Sequence, residues 1–141
     1  MWQRMNQLIA YLTFSGNCRE AMMFYQQCLG GELHLQTLGD APVAKKLPVE
    51  FRHFILHASL VKDGLVLMGT DMVGEEGLVK GNALSILLEC RSREEMESCY
   101  NRLSRGGKAT QPIERTYWGA FFGGLTDPYG NHWLLKYSSD L

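Results

Sequence analysis

Two histidines in the first half of the sequence are the residues best suited to acid–base chemistry or to anchoring a ligand. They belong to an apolar stretch from Arg52 to Val61 that alternates as a half-buried strand does. The predicted core face carries Phe54, Leu56, Ala58 and Leu60, and the opposite face carries His53, Ile55, His57 and Ser59. Because imidazole is the side chain that titrates nearest neutral pH, His57 is a candidate catalytic base or a hydrogen-bond anchor. The alternative is a structural ring held by a backbone carbonyl, and for His53 this alternative is favoured.

The first strand and the last hairpin supply the other side chains that could line a binding site. Tyr11 and Thr13 alternate with apolar neighbours in a strand predicted from Leu8 to Phe14. Both should face a pocket, where each could hydrogen-bond a ligand or only fill space. Trp118 and Phe122 could form an aromatic wall that stacks on a flat ligand. Core packing or a dimer contact accounts equally well for these two rings.

The residues next to this hairpin are weaker candidates for a functional role. Glu114, Arg115 and Tyr117 precede the aromatic strand on an expected loop, where solvated side chains are the favoured interpretation. Beyond the turn, alternation sends Trp133 to the core and leaves the role of His132 open.

The elements that position these residues occur in the same order twice. Each half contains a strand, a capped helix ended by Gly-Gly, two strands, a turn with Asp and Gly, and a final strand. The first half comprises strands Leu8–Phe14, Leu33–Leu38, Arg52–Val61 and Leu65–Met68, a helix capped by Asn17, an irregular loop 39–49 and the turn at Asp63 and Gly64. The second half comprises strands Ala83–Cys90, Lys108–Ile113, Trp118–Thr126 and His132–Tyr137, a helix capped by Ser92 and Glu95, and the turn Asp127–Gly130.

This repeat predicts an α+β fold of two β-α-β-β-β modules, at about 7–70 and 83–137, joined by loop 71–82 within one domain. The apolar face of each sheet would lie under its helix, and the opposite face would need cover. Two modules that pair their sheet edges would form a curved mixed sheet. Its concave side would be a pocket.

Composition limits the classes of partner. A formal net charge of -1 with scattered basic residues lacks the positive patch that nucleic-acid binding requires. No apolar run approaches the roughly 20 residues that span a bilayer, and the opening residues MWQRMNQ lack a secretory apolar core. Four cysteines without a CxxC pair indicate reduced, buried thiols. We therefore expect a cytoplasmic protein that binds neither nucleic acid nor membrane.

Three ordered motifs carry a family resemblance over nearly the whole chain. They are YLTFSGNCREAMMFYQQCLGGEL, ILHASLVKDGLVLMGTD and WGAFFGGLTDPYGNHW. Together they resemble the glyoxalase/bleomycin-resistance/dioxygenase superfamily, whose fold is known as the vicinal oxygen chelate fold, and within it the PhnB-like branch. The resemblance implies a homodimer of paired modules with a pocket in each sheet, and in the enzymes of the family usually one divalent metal.

The family's metal ligands are His, Gln or Glu on the first and last strands of each module, and this chain departs from that pattern. The matching positions hold Ile9 or Ala10, Leu67 or Met68, Asn82 or Ala83, and Leu134. Apolar side chains cannot coordinate a hard or borderline cation. We therefore expect no metal cofactor. A rearranged site is the alternative, and its possible ligands are Gln7, His57, Asp71, Glu89 and His132.

The sequence thus favours a small-molecule-binding homodimer without the usual metal, with a pocket lined by Tyr11, Thr13, His57, Trp118 and Phe122. One alternative is a metal-dependent lyase, dioxygenase or transferase of the same superfamily. The other is a structural or regulatory partner protein with no catalysis. Whether the protein is an enzyme stays open at this point.

Overall fold

The computed structural model describes residues 6–139, except for the side chain of Val43. The opening residues considered above therefore lie largely outside the described part. The chain divides into two compact units, Met1–Leu78 and Val79–Leu141. Each unit contains one long helix and one four-stranded sheet, which confirms the predicted α+β class.

The first unit follows the predicted element order. It comprises β1 (Ala10–Thr13), α1 (Cys18–Leu29), β2 (Glu32–Thr37), β3 (Ile55–Lys62) and β4 (Leu65–Thr70). Three short helical turns occupy the predicted loop between β2 and β3. The strands are ordered β1-β4-β3-β2, with β1 parallel to β4 and the other pairs antiparallel.

The second unit repeats this topology. It comprises β5 (Ile86–Glu89), α2 (Arg93–Ser104), β6 (Lys108–Arg115), β7 (Ala120–Thr126) and β8 (His132–Ser138). The strands are ordered β5-β8-β7-β6, and β5 runs parallel to β8. The repeated order confirms the β-α-β-β-β pattern inferred from the sequence.

Each helix covers one face of its own sheet. The α1 side chains Cys18, Ala21, Met22 and Tyr25 are fully buried, and so are Ala58 and Leu60 of β3. Gly69 of β4 lets α1 approach closely, because a Cβ there would meet Cys18, Met22 and Phe14 at 3.2 Å each. In the second unit the corresponding core contains Met96, Leu103, Leu125, Trp133 and Leu135. The prediction that Trp133 is a core residue is confirmed.

The two helix caps differ from each other. In α2 the Ser92 hydroxyl accepts a hydrogen bond from the Glu95 amide at 3.0 Å, as predicted. In α1, Asn17 occupies the N-cap position, as predicted, but its side chain makes no capping hydrogen bond, so only the predicted side-chain cap is wrong. The carboxylate of Asp71 caps the helix instead, by accepting hydrogen bonds from the amides of Gly16 and Cys18.

Three further local predictions are wrong. A bulge between β2 and β3 pairs His57 with Gln36 but Ile55 with Thr37, so Ile55 turns to the core face and is fully buried. Glu114 and Arg115 belong to β6, paired with β7, and not to a loop. The strands β5 and β7 begin later than predicted, at Ile86 and Ala120.

Candidate functional site

The first sheet has one face that points away from α1, which we call the open face. Gly69 faces the helix, so strand alternation directs the neighbouring residues of each strand to the other side. The open face therefore carries residues paired across the strands. One row is Tyr11, Met68, Ser59 and His34. The next positions along the strands are two further pairs, Thr13 with Thr70 and His57 with Gln36.

Tyr11 and His57 meet on this open face. The Tyr11 hydroxyl oxygen lies 3.2 Å from His57 Nδ1, and the two ring centroids are 5.8 Å apart with planes tilted by 35°. The tyrosine reaches across β4, which separates β1 from β3 in the sheet. Tyr11 is 52% exposed and His57 is half-buried, so a ligand could reach both. The predicted orientation of both side chains is confirmed by this contact.

The two threonines of the same face, Thr13 and Thr70, differ in the hydrogen bonds of their hydroxyl groups. The Thr70 hydroxyl donates to the Leu56 carbonyl at 2.8 Å and accepts from the Met72 amide at 3.0 Å. Thr13 is half-buried, and within residues 6–139 its hydroxyl has no hydrogen-bond partner. Thr13 therefore keeps a hydrogen-bonding group that a ligand could use, whereas Thr70 does not.

The predicted aromatic residues lie in the second unit. Trp118 is 58% exposed, and it sits in a turn before β7 with its ring edge-on to Tyr117 at 4.9 Å between centroids. Phe122 is half-buried on β7, where it pairs with Lys136 of β8. His132 Nδ1 lies 2.9 Å from the Thr126 hydroxyl. These positions leave the predicted binding roles of Trp118 and Phe122 as predictions.

Asp71 has a role that the sequence interpretation missed. It is 5% exposed, directly follows β4, and its carboxylate accepts three backbone hydrogen bonds, from Gly16, Cys18 and Ile55. These bonds link the ends of β3 and β4 to the first turn of α1, where negative charge is favoured. The signal available in the sequence was an acidic residue at the end of an apolar strand.

Two of the cysteines, Cys18 and Cys90, and the buried Tyr100 have structural roles. All four cysteines are free thiols, and burial raises the pKa of Cys18 and of Cys90 from 9.0 to about 12. Such thiols are unreactive near neutral pH, because the thiolate is the nucleophile. Burial also raises the pKa of Tyr100, whose single hydroxyl proton is shared between the carbonyls of Gln111 and Gly124.

The residues present do not fit a divalent-metal site of the kind expected in the resembled family. Among residues 6–139, no three His, Cys, Asp or Glu side chains lie close enough together to hold a metal ion. The expected ligand positions on β4 and β8 hold Met68 and Leu134, which offer no oxygen or nitrogen. Of the possible substitutes, Asp71 is committed to backbone amides.

A family model and several known proteins are similar to this chain over most of its length. Residues 7–135 match the model of the Glyoxalase/Bleomycin resistance protein/Dioxygenase superfamily. The crystal structure of protein PA1353 from Pseudomonas aeruginosa is 36% identical, with a TM-score of 0.82 over 96% of this chain and 100% of that one. Protein YjdN of Escherichia coli is 28% identical over 138 residues, covering 92% of this chain and 93% of its own.

A PhnB protein from Bacillus cereus has the same fold, with a TM-score of 0.74 and 22% identity over 94% of this chain and 100% of that one. The helices found in residues 6–139 lack the length and the apolar character of a membrane-spanning segment. The family match extends from before β1 into β8, and the repeated topology agrees with it. The chain therefore belongs to the glyoxalase/bleomycin resistance/dioxygenase superfamily.

Proposed function

We propose that the protein binds a small molecule on the open face of the first sheet, around Tyr11 and His57, without the divalent metal usual in its superfamily. The observation that carries the proposal is the 3.2 Å contact between these two side chains on a face directed away from the helix. Tyr11 and His57 belong to strands β1 and β3, and rigid strands hold side chains in place as a preorganised site requires.

The composition of the open face supports ligand binding. Apolar atoms of Met68 and of the Tyr11 ring lie beside polar groups of Thr13, His57 and Ser59. Small-molecule sites combine these features, with apolar and aromatic surface for affinity and a few convergent polar groups for orientation. His57 is also the candidate general base if the ligand is turned over.

Two aromatic residues of the second unit are proposed as further ligand contacts. Trp118 would stack on a flat ligand, in keeping with its exposed ring, and Phe122 is half-buried on β7. A cytoplasmic location stays a prediction, consistent with four free thiols.

A homodimer is proposed from the family resemblance and from exposed apolar side chains, including Leu8, Leu84 and Leu87. Light scattering at micromolar concentration tests the dimer. A mass near the 16.0 kDa of one chain contradicts it, and about twice that mass supports it.

The binding proposal is tested by a thermal-shift screen of small metabolites on the wild type and on His57→Ala. A ligand that binds only the folded state raises the melting temperature. We expect that at least one hit stabilises the wild type and no longer stabilises His57→Ala. The matched control is His132→Ala, which removes a histidine that is half-buried like His57 but lies on β8 of the second sheet. Stabilisation that survives His57→Ala contradicts the proposed position of the site.

The metal-free part of the proposal has a separate test. Elemental analysis of protein purified without chelator should find no stoichiometric divalent ion. A stoichiometric ion that is lost in His57→Ala protein contradicts this part.

A further inference from the structure

The hydrogen bond between Tyr11 and His57 has a preferred direction. A phenol O–H is a better donor than the N–H of a neutral imidazole, and an imidazole nitrogen is a better acceptor than a phenol oxygen. Tyr11 therefore donates to His57 Nδ1 across the 3.2 Å contact. An Nδ1 that accepts a hydrogen bond carries no proton in the neutral ring, so the proton lies on Nε2.

In this tautomer, His57 Nε2–H is a hydrogen-bond donor that needs an acceptor. Within residues 6–139, the ring makes no hydrogen bond besides the one to Tyr11. His57 is half-buried, and its partner across the sheet on β2 is Gln36. A half-buried N–H gains most from an acceptor that carries charge, because charge-assisted hydrogen bonds are the stronger ones.

The charged groups around His57 do not supply that acceptor. On β2, Glu32 lies at the opposite end of the strand from Gln36 and is 4.0 Å from His34. Strand β4 has no titratable residue from Leu65 to Thr70, and the carboxylate of Asp71 is engaged by three backbone amides. On β1 the titratable group is Tyr11 itself.

We propose that His57 Nε2–H binds a carboxylate oxygen of the ligand, with Tyr11 as the positioning residue that holds the proton on Nε2. This inference rests on the proposed function and narrows its ligand to small organic acids. The nearby Met68 and Tyr11 ring suit an acid with a flat apolar body.

The role of Tyr11 is tested by nuclear magnetic resonance of the histidine side chains in the full-length protein, with the His57 ring neutral. The imidazole nitrogen shifts distinguish the two tautomers. We expect the Nε2–H form for His57 in the wild type and a mixture of tautomers in Tyr11→Phe. The histidines His34 and His132 serve as internal controls, since their tautomers should not respond. A wild-type His57 with its proton on Nδ1 overturns the proposal.

The ligand class is tested in the same spectra with benzoate and its neutral analogue benzamide as probes. We expect benzoate to bind at millimolar concentration and to shift the resonances of His57 and its sheet neighbours, with benzamide weaker. His57→Leu should weaken benzoate binding roughly ten- to a hundredfold, as expected for a lost hydrogen bond to a charged group. His57→Gln, which keeps a donor close to the Nε2 position, should lose less than His57→Leu.

The outcomes separate this inference from the proposed function. Benzamide that binds the open face as tightly as benzoate, or benzoate binding unaffected by His57→Leu, overturns the carboxylate inference and leaves the binding face in place. Probe shifts confined to residues outside the open face contradict the proposed function as well. The absence of any shift with millimolar benzoate overturns the carboxylate inference alone, and the metabolite screen then decides the proposed function.

Discussion

Replacing Asp71 with Asn should destabilise the first unit strongly, because the carboxylate accepts hydrogen bonds on both of its oxygens. Oδ1 accepts from Gly16 and Cys18 at 3.0 and 2.9 Å, and Oδ2 accepts from Ile55 at 2.8 Å. An amide has one oxygen, so the best orientation of Asn keeps the first two bonds and turns its NH₂ toward the Ile55 amide.

The magnitude follows from burial. Ile55 is fully buried, so its N–H cannot turn to water when the acceptor is lost. Loss of a hydrogen bond to a charged group, with its buried donor left unsatisfied, costs about 1.5–3 kcal/mol. The negative charge beside the first turn of α1 is lost as well. We expect the free energy of unfolding to fall by about 2–4 kcal/mol, with a melting temperature lower by about 10 °C.

Urea unfolding followed by circular dichroism measures this change. The matched control is Asp40→Asn. Asp40 accepts hydrogen bonds from the Thr37 amide and hydroxyl at 3.1 Å, but its side chain is exposed. The control should lose less than about 1 kcal/mol. A loss in Asp71→Asn no larger than in the control refutes the role assigned to Asp71.

The packing and burial described above give three further predictions. Gly69→Ala should lower the free energy of unfolding in urea by about 1–3 kcal/mol, because its Cβ would crowd side chains at 3.2 Å. The control Gly64→Ala, whose Cβ would have no atom within 4 Å, should be close to neutral. Equal effects of the two substitutions contradict the close approach of α1 at Gly69. Burial raises the pKa of the Cys18 thiol from 9.0 to about 12. The thiol of the unfolded chain therefore ionises first as the pH rises. The contribution of Cys18 to the free energy of unfolding is complete below pH 9.0 and declines as the pH approaches about 12. Cys18→Ala should flatten this alkaline decline, and an unchanged slope contradicts it. Ser92→Ala should cost about 1 kcal/mol through the lost cap of α2, and a neutral effect in thermal unfolding contradicts that cap.

Local signals in the sequence were enough for the order of elements. The Ser92 cap, the turn at Asp63 and Gly64, and the core position of Trp133 depend on neighbours a few residues away, and all are found. The predicted orientation of His57 is also found, because the alternation of β3 is regular from His57 to Val61 and the bulge lies before His57. Short-range patterns therefore predict the sheet and which face a residue occupies.

The missed features depend on contacts between residues far apart in the sequence. Asp71 replaces Asn17 as the cap of α1, and its partners Gly16 and Cys18 lie 55 and 53 residues away. The bulge that buries Ile55 arises from pairing with β2, which alternation within β3 cannot reveal. Tyr11 and His57 lie 46 residues apart, so their common face was predictable but their hydrogen bond was not.

The position of the binding site is tested most directly by mapping one hit from the metabolite screen onto the backbone amides by nuclear magnetic resonance. If the site is the open face, the largest shifts lie in β1 and β3 around Tyr11 and His57, and they disappear in His57→Ala but not in His132→Ala. Shifts that centre elsewhere in the chain, or that persist unchanged in His57→Ala, would contradict a binding site at the Tyr11–His57 pair.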